Sequence, residues 1–376
     1  MDDLDVVVVG VGSMGSMALW HLARAGRSVL GIEQFGRVHA EGAYPGESRL
    51  FRVAAKEGAL YTPALLRARE LWLELGAAAG RELLVPTGVL HIAPGDHEDL
   101  TATMQSIREH DLPHEVLDAR ALRARYPQFH VEDDDLGVLD TLAGALRPET
   151  AVLAAQEQAL RHGARILSDV EVLAVEPSGS GVVVRTASGE IRARRAVVAA
   201  GPWTSRLVPA LRDVLTVASF TLTWLMPRHP ELFTPDRFPG FMRDLDGEHA
   251  FGAPSLDGFS IKMSPHLILP DVDDVSERTT ALTADQLRWL GEQAVRMIPD
   301  LVPQPVRWSI HPDSITADRA PVIDTIDDGR IVVAAGMSGN GFKFAPLYGL
   351  ALAELATGGT SPWRHERFTI ASHAAG

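Results

Sequence analysis

Asp5-Val-Val-Val-Val-Gly-Val-Gly-Ser-Met-Gly15 is the stretch that decides the fold. Four consecutive valines suit a strand buried on both faces of a parallel sheet. Gly10, Gly12 and Gly15 follow at the spacing of a phosphate-binding turn. Gly10 serves the tight bend, Gly12 the close approach of a pyrophosphate, and Gly15 close packing of helix on strand. Ser13 and Met14 begin an amphipathic stretch that runs to Ala25 and is stopped by Gly26, so backbone N–H groups at its start face an anion. Ser28-Val-Leu-Gly-Ile-Glu33 is a second strand, and Glu33 stands 18 residues past Gly15, where a carboxylate grips an adenosine ribose. A glycine-rich turn without a ligand leaves Glu33 unexplained. The stretch predicts a Rossmann-type α/β domain carrying a dinucleotide.

The rest of the chain bounds which one. Its 376 residues allow two or three domains, and the net charge of −14 argues against nucleic acid and anionic lipid as partners. No cysteine is present, which excludes disulfides, cysteine-ligated metal, thiol catalysis and a cysteinyl flavin link. There is no second GxGxxG, so a lone N-terminal fingerprint leaves FAD and NAD both open. MDDLDVVVVG does not read as a secretory signal, and the longest uncharged stretches, Val6 to Trp20 and Leu215 to Pro227, fall short of the ~20 apolar residues of a membrane span. A cytoplasmic monomer or small homo-oligomer is expected. Of 35 basic residues only Lys56, Lys262 and Lys343 are lysines.

Further along, Thr62-Pro63 reads as a helix start with threonine as the cap, followed by Ala64, Ala68, Leu71 and Leu75 at helical spacing. Glu149 to His162 is a second helix, and Val170 to Glu176 with Gly181 to Arg185 form a hairpin. Between Leu215 and His266 the pattern turns to alternating β segments, the mark of a separate, mainly antiparallel sheet. Ile331-Val-Val-Ala-Ala335 returns as a buried strand ahead of a helix from about Pro346. The acidic run Glu132 to Asp135 is read as a solvated loop, Lys56 as a solvated loop residue, and His110 and His114 as surface residues without a third metal ligand. No metal site is expected. A discontinuous FAD-binding domain over 1–86, 147–213 and 317–376 and a substrate domain over 87–146 and 214–316 follow from this order.

Five segments together resemble the monomeric sarcosine oxidase family, with N-methyltryptophan oxidase as a relative. These are FAD-dependent amine oxidases of the D-amino-acid oxidase-like superfamily. The segments are Gly10 to Gly15 with Glu33; Gly46-Glu-Ser-Arg49-Leu-Phe-Arg52; Ala200-Gly-Pro-Trp203; Ile261-Lys262-Met-Ser-Pro-His266; and Gly336-Met-Ser-Gly-Asn-Gly-Phe-Lys343. The resemblance implies Arg49 beside the flavin, Arg52 and Lys343 on a substrate carboxylate, Lys262 over the flavin face activating oxygen, and His266 near the substrate amine. It also places Met242, Phe251 and Asn340 against substrate. Gln34, Ser48, Val170, Gly201, Trp203, His311, Gly336, Met337, Gly339, Gly341 and Phe342 are placed against cofactor. Amides of Gly336 to Phe342, at a helix N-terminus, are expected to stabilise negative charge on reduced flavin.

Three departures matter. The family's flavin-linking cysteine aligns with His311, so FAD is expected to be non-covalent, with a histidyl link as the alternative. An aromatic hydroxyl is replaced by Phe251 and a histidine by Asn340, so sarcosine itself is not predicted. The resemblance implies oxidation of a carboxylate-bearing secondary amine to imine and hydrogen peroxide. A flavin dehydrogenase or tailoring oxidase of a larger amine is the alternative, and a catalytically silent flavin-binding protein is the reading from another class.

Overall fold

A computed structural model describes residues 4–374. Strand Leu4–Val9 lies at the centre of a sheet of eight strands. It pairs in parallel with Val29–Ile32 on one side and with Gly189–Val198 on the other, and Arg165–Leu167 and Ile331–Ala335 extend the parallel array outward. Val322–Ile326 closes one edge antiparallel, and the hairpin Val172–Ser178/Gly181–Thr186 adds to the first half of Gly189–Val198. Successive side chains of a strand point to opposite faces. Here Val6 and Val8 enter one core and Val7 and Val9 another, so both faces of the central strand are buried.

Helix Ser13–Arg24 departs from the amphipathic expectation. Every residue from Met14 to Ala23 is buried, because helices Pro148–Arg161 and Ala345–Ala356 pack on both sides of it. Gly349 makes that approach possible, since a Cβ there would lie 2.4 Å from Met17 Cβ. Thr62 is the first residue of helix Thr62–Ala79 rather than its cap, and its buried hydroxyl has no partner.

The second large sheet is mixed but mainly antiparallel. Its order is Leu301–Ile315, Thr216–Pro227, Ile261–Pro265, Glu248–Ala253, Gly240–Leu245, Val89–Pro94, Asp135–Asp140 and His114–Asp118. Only the pairing of Gly240–Leu245 with Val89–Pro94 is parallel. One face packs on Phe129, Phe233, Phe238 and Phe241, whose neighbouring rings lie 4.9–5.5 Å apart, and helix Ala284–Met297 covers the same core. Asp135 corrects the solvated-loop reading of the acidic run. It is buried and pairs at 2.7 Å with the fully buried Arg243, whereas Glu132 to Asp134 stay exposed. A short sheet of Arg49–Phe51, Gly144–Leu146 and Leu84–Val85 completes the architecture. Among the described residues no helix is long and apolar enough to cross a membrane.

Candidate active site

A cavity of about 1040 Å³ runs from the glycine turn to the second sheet, at the upper end of the ~300–1,000 Å³ typical of small-molecule sites. Gly10, Gly12, Ser13 and Met14 line one end with Glu33 and Gln34. Gly10 has φ +82°, and a Cβ on it would lie 2.6 Å from the Ala199 carbonyl oxygen. A Cβ on Gly15 would lie 1.8 Å from the Gly10 carbonyl, so Gly15 supports the turn from behind the cavity. Gly12, by contrast, is uncrowded: a Cβ there would meet only the Tyr44 ring, at an ordinary contact distance of 3.7 Å. Glu33 is buried at the end of its strand and accepts the N–H groups of Val11 (2.8 Å) and Phe35 (3.2 Å), which fix its carboxylate at the rim. An open phosphate turn and a fixed carboxylate one strand away fit the pyrophosphate and ribose of FAD. Val170, Gly201 and Trp203 line the same end.

In the middle of the cavity Arg49 donates to the carbonyls of Ala43 (3.0 Å), Ser48 (3.1 Å) and Pro45, and its guanidinium lies 5.5 Å from the Phe220 ring centroid. Burial brings its pKa down to about 10. Met337, Gly339, Asn340, Gly341, Phe342 and Lys343 form the opposite wall. The expected row of free amides is partly used up. Gly336 N–H donates to Ser314 Oγ (2.9 Å), Ser338 N–H to the Ser314 carbonyl, Gly339 N–H to Asp313 Oδ2 (2.6 Å) and Asn340 N–H to the Met337 carbonyl. Asp313 is buried deeply enough to be pushed up to about 6.

The far end brings together Arg52, Lys343, Met242, Phe251 and His266, all of which line the cavity. Met242 and Phe251 face each other across adjacent strands. Between the two cations sits a group the sequence analysis missed. Glu57 Oε1 accepts from Arg52 Nη2 at 2.7 Å and from Lys343 Nζ at 2.6 Å. Burial pushes the Glu57 carboxyl up, but Arg52 and Lys343 outweigh it and hold it well below the usual range. Lys343 also donates to Asn340 Oδ1 (3.2 Å), and burial lowers its pKa to about 8. Arg52 Nη1 and Glu57 Oε2 are buried without a partner. The only signal for Glu57 in the sequence was an acid five residues after Arg52. Lys56 lines the cavity too, paired with Asp99 and half-buried, which corrects its reading as a solvated residue.

Gly15, Ser48, Lys262, His311 and Gly336 stand behind the lining. Lys262 Nζ donates to the carbonyls of Ser48 (2.6 Å) and Gly46 (3.3 Å) and lies 5.7 Å from the ring centroid of Phe251, which does reach the cavity. Burial, reinforced by Arg49, lowers the Lys262 pKa well below its ordinary value. His311 is paired through Nε2 with Ser309 Oγ (2.8 Å) and through Nδ1 with the Gly42 carbonyl (3.2 Å).

One cavity that joins a nucleotide turn to a cation pair is the arrangement of a dinucleotide-dependent redox enzyme. The sequence pattern of the FAD dependent oxidoreductase family matches residues 5–355, and the chain belongs to that family. It is 33% identical to a monomeric sarcosine oxidase of Streptomyces avermitilis over 95% of this chain and 94% of that one. It is 31% identical to an N-methyl-L-tryptophan oxidase of Salmonella dublin, over 97% and 99%. The fold also matches NikD, described as an unusual amino acid oxidase essential for nikkomycin biosynthesis, with a TM-score of 0.87 at 23% identity over 98% of both chains. Glycine oxidase from Geobacillus kaustophilus matches with a TM-score of 0.82 at 20% identity, over 98% of this chain and 99% of that one.

Proposed function

We propose that the protein oxidises a secondary amine that bears a carboxylate, an N-methyl amino acid or a cyclic imino acid, with oxygen as acceptor. The products are the imine, which hydrolyses, and hydrogen peroxide. The observation that carries this reading is the Arg52–Glu57–Lys343 cluster in the FAD cavity. Two cations already converge on one carboxylate there, and an unpartnered Arg52 N–H is left over for another. A substrate carboxylate takes up that N–H and displaces Glu57 from the shared position, which fixes the amine end towards the middle of the cavity. Met242 and Phe251 present apolar surface beside it and exclude water, and His266 follows directly after the neighbouring strand Ile261–Pro265.

FAD, when bound, supplies the two-electron acceptor. Gly12, Ser13 and Met14 would hold its phosphates, Glu33 its ribose, and Arg49 with the Met337–Lys343 wall its ring end. The proposed division of labour keeps 1–86, 147–213 and 317–376 for cofactor and 87–146 and 214–316 for the sheet over the substrate. Lys262 would provide fixed positive charge for reduction of oxygen. A second reading, a flavin dehydrogenase, draws on one observation: the Lys262 ammonium is held by two carbonyls behind the lining.

A peroxide-coupled screen of N-methyl and cyclic amino acids, run beside their decarboxylated counterparts, tests the proposal. Carboxylated secondary amines should be turned over and the bare amines should be at least ~30-fold poorer in kcat/KM, the lower end of losing a desolvated charge partner. Equal turnover of the bare amines would refute the carboxylate assignment.

A further inference from the structure

Asp244 gathers an unusual set of imidazoles beside the cavity. It lies on strand Gly240–Leu245, and its Oδ2 meets His91 Nε2 at 2.8 Å while its Oδ1 meets His249 Nδ1 at 2.6 Å. His97 Nε2 approaches Oδ1 at 3.9 Å. His91, His97 and Asp244 are close enough to suggest a metal site. The hydrogen bonds argue otherwise. His97 Nδ1 accepts the Asp99 N–H (3.3 Å), so the ring proton of its neutral form is on Nε2 and no lone pair is free there for a cation. Donation from His91 Nε2–H and His249 Nδ1–H makes Asp244 a buried anion held by imidazoles, and those bonds outweigh burial and keep its carboxyl well below the usual range.

Two histidines of this region line the cavity: His249 on strand Glu248–Ala253 and His266 just past the end of the adjacent strand Ile261–Pro265, tied by the His266 N–H to the His249 carbonyl at 2.8 Å. Only His249 has a carboxylate behind its ring. With Nδ1 committed to Asp244, Nε2 is the nitrogen it can offer to a ligand, and the carboxylate fixes the orientation of the imidazole.

We propose that His249 is the base that takes the proton of the incoming substrate ammonium, with Asp244 as its positioning residue and His91 holding Asp244. This rests on the amine-oxidation reading above. One proton passes from the substrate nitrogen to His249 Nε2, the nitrogen keeps its electron pair, and the neutral amine is the form from which the adjacent carbon can surrender hydride. Of the charged groups near His249, Lys56, Arg52 and Arg319 line the same cavity, and Glu248 precedes it on its own strand. Asp244 is the anion bonded directly to the ring.

The test is anaerobic reduction of the holoenzyme between pH 6 and 10 by the best carboxylated secondary amine of the screen. In the parent the reduction rate should rise with pH along a one-proton limb. His249→Gln should lose about 100-fold at pH 7, the lower range for a general base, and regain most of it at high pH, where free amine arrives unaided. Asp244→Asn should displace the limb. Acetate binding, read from the flavin spectrum, should stay within about threefold in both variants, which separates loss of the base from loss of the site. Parental rates and pH profile in His249→Gln, or disappearance of the limb in His266→Gln instead, would overturn the assignment and leave amine oxidation standing. If no panel member reduces the parent, the amine-oxidation reading falls and this assignment with it.

Discussion

Arg52 and Lys343 share one carboxylate oxygen of Glu57, and that geometry sets what an incoming substrate has to do. Arg52→Ala and Lys343→Ala should each weaken simple carboxylate inhibitors by at least ~30-fold, since leaving one partner of a desolvated ion pair typically costs ~2–5 kcal/mol. Flavin difference spectra measure this directly, and parental affinity in both variants would place the carboxylate elsewhere. Lys262 poses a different question. A charge needed only when oxygen is reduced should leave anaerobic flavin reduction within about tenfold in Lys262→Met and slow reoxidation by ~100-fold or more. Equal slowing of both steps would mean that Lys262 acts by holding the Gly46 and Ser48 carbonyls. Arg49, Arg52, Lys262 and Lys343 were readable because they stand in distinctive local segments. Glu57 and Asp244 were not: each has one partner five residues away, a spacing that forms no recognisable motif, and the partners that complete their clusters, Lys343 and His91, lie 286 and 153 residues away in the chain.

At the scale of elements, helix Ser13–Arg24 is held by contacts invisible in its own sequence. His21 Nε2 meets the Pro346 carbonyl at 2.9 Å, and burial lowers the His21 pKa to about 4. The unfolded chain therefore binds this proton from about pH 6.5 downward and the native protein only below about 4. Between those values the unfolded state holds the extra proton, so stability falls as pH falls, by about 1.4 kcal/mol per unit for one such group. Denaturant unfolding at pH 7, 6 and 5 should show this loss in the parent and about one proton less of it in His21→Gln. Parallel curves would contradict it. The phosphate turn and its flanking strands were legible because glycine spacing and a valine run are local signals. Strand Leu301–Ile315 was hidden by Pro303, Pro305 and Pro312, which it tolerates because it is an edge strand.

Across the whole molecule, the two large sheets are assembled from interleaved parts of the chain, and the cavity between them draws on both. The chain has no cysteine, and both ring nitrogens of His311 are engaged within the protein, where burial lowers its pKa to about 3. Acid precipitation should therefore release yellow FAD into the supernatant; a yellow pellet with an adduct on the His311 peptide would contradict non-covalent binding. The most direct measurement adds N-methyl and cyclic amino acids to the holoenzyme without oxygen and follows the flavin absorbance, then admits oxygen. Bleaching by carboxylated secondary amines, followed by return of the yellow colour and one hydrogen peroxide per flavin, is the predicted result. A flavin that stays oxidised with every such amine, or that bleaches and is not reoxidised by oxygen, would contradict the account.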